Sequence, residues 1–256
     1  MQRLTQITDV QTYRQALAGS VGFVPTMGAL HEGHASLVRQ SVNDNSHTLV
    51  SIFVNPTQFD QSTDLAAYPN TLETDLNTLE MLGVDAVFLP DFNSMYPDDY
   101  AYQLSEDRLS RKYCGAHRPG HFDGVLSVVM KLFNITQPDK AYFGEKDHQQ
   151  LTLIKGLVEA FFVPVEVVSC PIVREPDGLA MSSRNLRLSA AQRKLAPMLY
   201  QVLSQATSLT AKHQRLEKLG FDVDYLEVMG NRLLAAASLG EIRLIDNVPY
   251  QPGGGA

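Results

Sequence analysis

The sequence predicts an α/β fold, with a doubly wound parallel sheet followed by a second, smaller domain. Between residues 21 and 168, short apolar runs alternate with helix-length segments, as in chains of β-α-β units. The run TLVSIFV at residues 48–54 lacks apolar–polar alternation, which is typical of a strand buried on both faces of a sheet. The pattern changes at a turn signal, EPDG at residues 175–178, so we divide the chain into domains 1–174 and 175–256.

The spacing of apolar residues predicts the elements in order. The first 20 residues read as a helix, and apolar runs predict strands at residues 21–24, 48–54, 84–90, 140–143 and 165–168. Helical periodicity predicts helices that begin near His31 and that span residues 65–82, 125–135 and 148–161, whereas residues 91–120 read as loop. In the second domain, residues 189–192 form a capping box ahead of a helix that Pro197 kinks, and we expect the glycines at 253–255 to be disordered.

Composition limits the classes of function. The net charge of −7 argues against broad nucleic-acid binding, so an anionic ligand needs a local cationic pocket. No apolar run approaches the roughly 20 residues of a bilayer span, and the N-terminal segment MQRLTQITDV lacks the apolar core of a secretory signal. Two cysteines, Cys114 and Cys170, make no disulfide framework. We therefore expect a cytoplasmic protein that binds neither nucleic acid nor membrane.

The stretch VGFVPTMGALHEGH at residues 21–34 reads as a strand, a small-residue turn and the start of a helix. A helix that begins after such a turn presents backbone N–H groups and the positive end of its dipole to a phosphate. His31 and His34, three residues apart, are expected to point into the same space. We interpret this stretch as the phosphate end of a nucleotide site.

Cations and neutral amides follow several of the predicted strands. Ligands of open α/β sheets bind beyond the carboxyl ends of the strands. The polar and sulfur-bearing residues at these positions are Met27, His31, His34, Asn55, Gln58, Lys146, Asp147, Gln150, Arg174, Ser182, Ser183 and Arg184. Taken singly, the two histidines read equally well as surface residues, and a surface or loop role is favoured for Lys146, the two glutamines and the segment 182–184. Their joint placement at one sheet edge of an acidic protein indicates an anion site.

Five segments carry a resemblance to a known family. PTMGALHEGH, SIFVNPTQF, RPGHFDGV, FGEKDHQQL and DGLAMSSRN, in this order and spacing, closely resemble the pantoate–β-alanine ligases (pantothenate synthetases). The first and last segments also resemble the HIGH and KMSKS phosphate loops of the nucleotidyltransferase superfamily. The likeness is strongest over residues 20–200. The chain departs from the family at Tyr113-Cys114, where some members have Leu-Glu, and it looks compressed after residue 212.

The resemblance implies an activity and a set of site residues. Such enzymes condense pantoate with β-alanine through a pantoyl adenylate, splitting ATP to AMP and pyrophosphate with Mg²⁺. They are usually homodimers with a Rossmann-like first domain and a small C-terminal lid domain. The implied catalytic residues are His34 (the proton donor), His31, Lys146, Arg184, Ser182 and Ser183. The implied substrate contacts are Gln58 to pantoate and β-alanine, and Gln150 to pantoate. The implied ATP-binding positions are Met27, Gly28, Ala29, Leu30, His31, Glu32, Gly33, His34, Gly144, Glu145, Lys146, Asp147, Val173, Met181, Ser182, Ser183 and Arg184.

Two other functions remain open at this point. One is a nucleotidyltransferase that transfers AMP to a phosphate acceptor, although such an acceptor calls for more cations than amides. The other is a catalytically silent nucleotide-binding protein, against which the intact His31, His34, Lys146 and Arg184 argue. Pyrophosphate release that depends on pantoate separates all three.

Overall fold

The computed structural model describes residues 1–60 and 65–250 of the chain. The chain divides into two compact units. The first comprises Met1–Glu145 and Gln149–Cys170, and the second comprises Lys146–His148 and the chain from Pro171 onward. The structure therefore places the three-residue segment that carries Lys146 in the second unit, which the sequence-based division did not anticipate. The expected disorder of residues 253–255 concerns positions outside the described residues.

The first unit is built on a sheet of six parallel strands. They are β1 (Gln2–Leu4), β2 (Val21–Thr26), β3 (His47–Ile52), β4 (Ala86–Phe88), β5 (Lys140–Gly144) and β6 (Glu166–Cys170), in the spatial order β1-β4-β3-β2-β5-β6. From β2 the chain proceeds to β3 and β4 on one side and later to β5 and β6 on the other. The switch point thus lies between β2 and β5, beyond whose carboxyl ends ligands of doubly wound sheets bind. The predicted fold class is confirmed.

Seven helices in the described part of the first unit accompany the sheet. They are α1 (Ile7–Ala16), α2 (Glu32–Asp44), α3 (Leu72–Met81), α4 (Phe92–Met95), α5 (Cys114–His117), α6 (His121–Thr136) and α7 (His148–Ala160). Val24 of β2 and Val50 of β3 are fully buried among apolar side chains of α2 and α3, because a strand in the middle of a parallel sheet is covered on both faces. No helix in the described part of the chain has the length and apolar character that a bilayer span requires.

Three predictions for the first unit need correction. The first 20 residues contain the short strand β1 in addition to a helix, because a three-residue edge strand with exposed polar residues gives no apolar run. The helix predicted over residues 65–82 is interrupted: Leu65 and Ala66 are helical, but α3 begins only at Leu72, since Pro69 disfavours helical geometry in the residue before it. Residues 91–120, expected to be loop, contain the four-residue helices α4 and α5, which are too short to show a periodic pattern.

The second unit combines three helices with an antiparallel sheet. The helices are α8 (Ala190–Leu195), α9 (Met198–Leu203) and α10 (Leu209–Lys218), and the strands are β7 (Asp222–Met229), β8 (Arg232–Leu239) and β9 (Ile242–Pro249), in the order β7-β8-β9. The predicted capping box is present, because Ser189 and Gln192 bond reciprocally at the start of α8. Pro197 separates α8 from α9 rather than kinking one helix. Leu199, Leu216 and Leu233 form part of its core.

Candidate active site

The turn after β2 has an unusual backbone that a buried carboxylate holds in place. Gly28 (φ +79°) and Ala29 (φ +51°) both adopt the left-handed conformation that disfavours residues with a Cβ atom. The N–H of Gly28 donates to Thr26 Oγ1 at 3.2 Å. The N–H groups of Ala29 and Leu30 donate to the two carboxylate oxygens of Asp75, at 2.8 and 2.9 Å. Helix α3 therefore fixes the shape of this turn.

Asp75 is a residue that the sequence analysis missed. It is only 2% exposed, and its carboxylate also accepts the hydroxyl of Thr71 at 3.0 Å, so the buried charge is well supplied with donors. The N–H groups of Ala29 and Leu30 bond to Asp75, so the phosphate contact stays a prediction for the N-terminus of helix α2 that follows the turn. The position of Asp75, four residues before the buried Leu79, indicates the inner face of α3 but does not indicate which groups the carboxylate accepts.

His31 and His34 cap the N-terminus of α2 reciprocally. Nδ1 of His31 accepts the N–H of Gly33 at 3.1 Å, and Nδ1 of His34 accepts the N–H of His31 at 3.4 Å. The two ring centroids lie 4.1 Å apart, so the structure brings these side chains together as expected. A ring nitrogen that accepts from an N–H group carries no proton. The neutral form of each ring therefore carries its proton on Nε2.

Gln58 closes a short 3-10 turn, Pro56–Gln58, that follows β3. Its Oε1 accepts from Asn55 Nδ2 at 3.1 Å, and its Nε2 lies 3.0 Å from the sulfur of Met27. Asn55 is 1% exposed, and its own oxygen accepts from the Tyr96 hydroxyl at 3.0 Å. Burial raises the pKa of Tyr96 to about 12, which keeps that hydroxyl protonated and able to donate. The side chain of Gln58 is thus oriented before any substrate binds.

The backbone of Gln58 is held by residues of the RPGHFDGV segment. The Gln58 carbonyl oxygen lies 2.7 Å from His121 Nδ1 and accepts from Arg118 Nη2 at 3.2 Å. Because a carbonyl only accepts, His121 donates through Nδ1, and its Nε2 then accepts from Arg118 Nη1 at 3.1 Å. Arg118 Nε also donates to Asp60 at 2.8 Å. Burial raises the pKa of the Asp60 carboxyl, but the hydrogen bond and charge of Arg118, together with a backbone hydrogen bond and the nearby His121, outweigh burial and lower that pKa.

Gly124 lets helix α6 approach this loop closely. A Cβ atom at this position would lie 2.4 Å from the carbonyl oxygen of Thr57 and 2.8 Å from the backbone nitrogen of Gln58. Asn55 Nδ2 reaches the carbonyl of Gly124 at 3.4 Å across the same contact. The sequence analysis used this segment for its resemblance and assigned it no role in the site. In the structure it supports the Gln58 loop.

Two adjacent glutamines at the start of α7 have different environments. Gln149 is 4% exposed and holds the loop before α5, because its Oε1 accepts from the Cys114 N–H at 3.0 Å and its Nε2 donates to Leu109 and Lys112 carbonyls at 2.8 Å. Gln150, the predicted pantoate contact, is half-buried. Cys114, where some family members have an acidic residue, therefore carries a buried thiol, and Gln149 holds its backbone N–H.

The second unit brings three of the predicted residues around one hollow. Lys146, Ser182 and Arg184 line a space of about 10 Å³, together with Asp246 of β9. Ser182 caps the 3-10 helix Ser183–Arg187, since its Oγ accepts the N–H of Arg184 at 3.2 Å. The N–H of Met181 donates to the carbonyl of Val173 at 3.0 Å, which ties the loop back on itself.

The predicted site residues thus fall into two sets. The first unit carries the histidine-capped turn, the two substrate glutamines and the end of β5, and these residues are Met27, Gly28, Ala29, Leu30, His31, Glu32, Gly33, His34, Gln58, Gly144, Glu145 and Gln150. The second unit carries Lys146, Asp147, Val173, Met181, Ser182, Ser183 and Arg184. The lysine and the arginine therefore both belong to the second unit, although Lys146 directly follows Glu145 of the first unit in the chain.

Comparison with known proteins identifies the family. The family model described as pantoate-beta-alanine ligase matches residues 2–249 of this chain. The chain belongs to the pantoate-beta-alanine ligase family. Pantothenate synthetase of Bdellovibrio bacteriovorus is 54% identical over 247 residues, which cover 96% of this chain and 98% of that protein. Pantothenate synthetase of Legionella pneumophila is 51% identical over 228 residues, covering 89% of this chain and 90% of that protein.

Solved structures of the ligase family share the whole fold. The pantoate-beta-alanine ligase of Francisella tularensis, determined with beta-gamma ATP and beta-alanine, superposes with a TM-score of 0.94 at 39% identity and covers 99% of both chains. Pantothenate synthetase of Thermus thermophilus gives a TM-score of 0.91 at 41% identity over 98% of this chain and 100% of that one. The prediction that the chain is an AMP-forming ligase of this family is confirmed, and the family's activity is the ATP-dependent condensation of pantoate with β-alanine.

Proposed function

We propose that this chain makes pantothenate through a pantoyl adenylate, with the amide-rich residues of the first unit binding the acid and the cationic residues of the second unit binding the triphosphate. The observation that carries the proposal is the placement of Gln58. Its Nε2 lies 3.0 Å from Met27 Sδ, at the start of the turn that leads into the histidine-capped helix. A neutral donor is thereby oriented next to an apolar side chain, which suits an acid with a gem-dimethyl group.

The first chemical step needs charge stabilisation more than proton transfer. A carboxylate oxygen of pantoate attacks the α-phosphorus of ATP, and the bond from that phosphorus to the bridging oxygen of pyrophosphate breaks. The carboxylate is ionised at neutral pH, so no general base is required. Catalysis then rests on positioning and on donors aimed at the growing negative charge. We assign that role to Lys146 and Arg184, with hydrogen bonds from Ser182, Ser183 and the imidazole Nε2–H groups.

Glutamines suit the acid because they hold it without neutralising it. A cation bound to the pantoate carboxylate would reduce its nucleophilicity, whereas an amide N–H orients it with little loss of negative charge. Gln58 is pre-oriented by Asn55, and Gln150 stands at the first turn of α7. We assign both to pantoate and Gln58 also to β-alanine.

The second step joins the activated acid to β-alanine. The unprotonated amine attacks the acyl carbon of the adenylate, an amide bond forms, and AMP leaves with the bonding electrons. The mixed anhydride must be kept from water until the amine arrives. We assign this shielding to the second unit as a lid, as the family resemblance implies.

A divalent metal accompanies ATP in this family, and we propose that it is Mg²⁺. Within residues 1–60 and 65–250, no group of three or more His, Cys, Asp or Glu side chains is arranged to hold an ion. This arrangement fits Mg²⁺, which binds substrate phosphates and waters with one or two carboxylates. Asp147, whose carboxylate is 46% exposed next to Lys146, is the residue that fits this role. When bound, the ion neutralises charge on the phosphates.

We further propose that the protein is a homodimer and that it acts in the cytoplasm.

The test follows pyrophosphate release with ATP present and pantoate or β-alanine supplied separately. We expect release to require pantoate, and Gln58→Ala to raise KM for pantoate far more than KM for ATP. Gln11→Ala, on the exposed face of α1, is the matched control and should change neither. Release without pantoate, or an equal rise in both KM values, would contradict the proposal. Release driven by a phosphate acceptor would favour the nucleotidyltransferase alternative.

A further inference from the structure

Asn247, near the C-terminal end of strand β9, forms a side-chain hydrogen bond with the backbone of Lys146. Its side-chain Nδ2 donates to the Lys146 carbonyl oxygen at 3.0 Å, and the residue is only 1% exposed. Arg232 Nε donates to the opposite side of the amide, at Oδ1. Because a guanidinium only donates, this contact fixes which end of the amide is oxygen. The Nδ2 end is therefore the one that faces Lys146.

An ion pair beneath Asn247 holds it in place. The carboxylate of Asp246, 4% exposed, accepts from both terminal nitrogens of Arg174, at 2.7 and 2.9 Å, and also from the N–H of Asn247 at 2.7 Å. The guanidinium carbon of Arg174 lies 3.7 Å from the centre of the Tyr200 ring. Bidentate geometry and stacking leave the arginine little freedom. The backbone N–H of Asn247 is thus held by Asp246, which Arg174 in turn fixes.

Lys146 needs such an anchor because its side chain is long and flexible. The ammonium sits on a four-carbon stem with several rotatable bonds, and its contact with Asp147 is a loose 3.9 Å. Lys146 nevertheless lines the same hollow as Ser182 and Arg184. The bond from Asn247 fixes the point on the main chain from which the stem extends.

We propose that Asn247 is a positioning residue for the ligase reaction, which places Lys146 beside the Ser182–Arg184 loop through its main-chain carbonyl. This inference rests on the proposed function, in which Lys146 acts on the triphosphate. In this role Asn247 acts on the main chain of Lys146 rather than on the substrate or the reacting atoms. Its effect on catalysis passes through Lys146 alone.

Asn247→Asp replaces the donor to Lys146 by an acceptor and adds a negative charge at a buried position beside Asp246. The variant keeps the shape and the oxygen that faces Arg232, but it sets a carboxylate oxygen against the Lys146 carbonyl. A displaced catalytic group typically lowers the rate by one to two orders of magnitude, so we expect kcat to fall roughly 10- to 100-fold while KM for pantoate changes by less than about threefold. Asn231→Asp introduces the same charge at an exposed position in the turn between β7 and β8 and serves as the control for added charge. Thermal unfolding is measured for both variants.

The decisive measurement is a double-mutant cycle with Lys146→Ala. If Asn247 acts through the lysine ammonium, Asn247→Asp lowers kcat in the natural chain and has no further effect, within about twofold, when Lys146 is already alanine. A similar loss in both backgrounds, or an unchanged kcat in the natural background, overturns the inference. Full activity of Lys146→Ala alone overturns the proposed role of Lys146. That failure is distinguishable from failure of the inference about Asn247, because it is seen in a variant whose Asn247 is intact. Asn247→Ala takes the place of Asn247→Asp in the cycle if the aspartate variant does not fold.

Discussion

Replacing Gly124 by alanine tests whether the close approach of α6 to the Gln58 loop matters. The added Cβ would lie 2.4 Å from the Thr57 carbonyl oxygen, 2.6 Å from its carbonyl carbon and 2.8 Å from the Gln58 nitrogen. All three atoms are backbone, so helix and loop must separate by roughly 1 Å to restore ordinary contact distances. Overpacking of this kind costs about 1–3 kcal/mol, against a gain of about 1 kcal/mol from replacing glycine within a helix.

The assay combines urea unfolding with steady-state kinetics. We expect Gly124→Ala to lower the unfolding free energy by about 1 kcal/mol, because the clash with fixed backbone outweighs the helix gain. A shift of roughly 1 Å in Gln58 should also lower kcat/KM for pantoate by up to about 100-fold. Gly156→Ala is the matched control, since an added Cβ there meets nothing within 4 Å in helix α7, and it should gain about 0.5–1 kcal/mol. Unchanged stability and unchanged KM for pantoate in Gly124→Ala would refute the reasoning.

Three further predictions concern other parts of the first unit. Asp75→Asn should destabilise the protein by about 1–3 kcal/mol and raise KM for ATP. The reason is that an amide NH₂ then faces one of the N–H groups of Ala29 and Leu30, which the carboxylate accepts in the natural chain. Urea unfolding measures the first effect and steady-state kinetics the second. Asp60 has a lowered native pKa, so its ion pair stabilises the fold above about pH 4 and this contribution disappears as pH falls through the lowered value. The stability gap between the natural chain and Asp60→Asn should therefore narrow on acidification, as unfolding titrations at several pH values would reveal. Binding of an ATP analogue should raise the proton affinity of at least one of His31 and His34, because a bound triphosphate favours imidazolium, and ¹⁵N NMR titration of the imidazoles should show it.

Much of the first unit could be predicted because buried parallel strands leave a strong local signal. Leu49 and Val50 are apolar and lie on opposite faces of β3, so the run of residues identifies the strand without any knowledge of its partners. The reciprocal cap at Ser189 and Gln192 was equally local, since both partners lie within one turn. The site residues that follow the strands could be named because the sheet topology gathers the carboxyl ends at one edge.

The residues that support the site could not be predicted, because their partners are distant in sequence. Asp75 accepts N–H groups 45 and 46 residues away, and no spacing within α3 reveals that contact. Gln149 and Gln150 are adjacent glutamines at the start of one helix, yet only contacts with the loop before α5 show that Gln149 is structural. Asn247 reaches a carbonyl 101 residues away. Each of these roles depends on tertiary packing, which periodicity and capping patterns do not encode.

The distribution of charge between the units bears on how the proposed reaction is controlled. In the first unit, the histidines accept through Nδ1 in the cap, which favours neutral rings, and Gln58 offers an amide. The cations assigned to the triphosphate, Lys146 and Arg184, both belong to the second unit. If pantoate is held by neutral donors, its carboxylate keeps the nucleophilicity that the first step requires, while the positive charge is supplied to the leaving pyrophosphate. Variants of the second-unit cations should then lower kcat for adenylate formation while leaving pantoate affinity nearly unchanged, and a parallel loss of pantoate affinity would show that the two roles are not separated in this way.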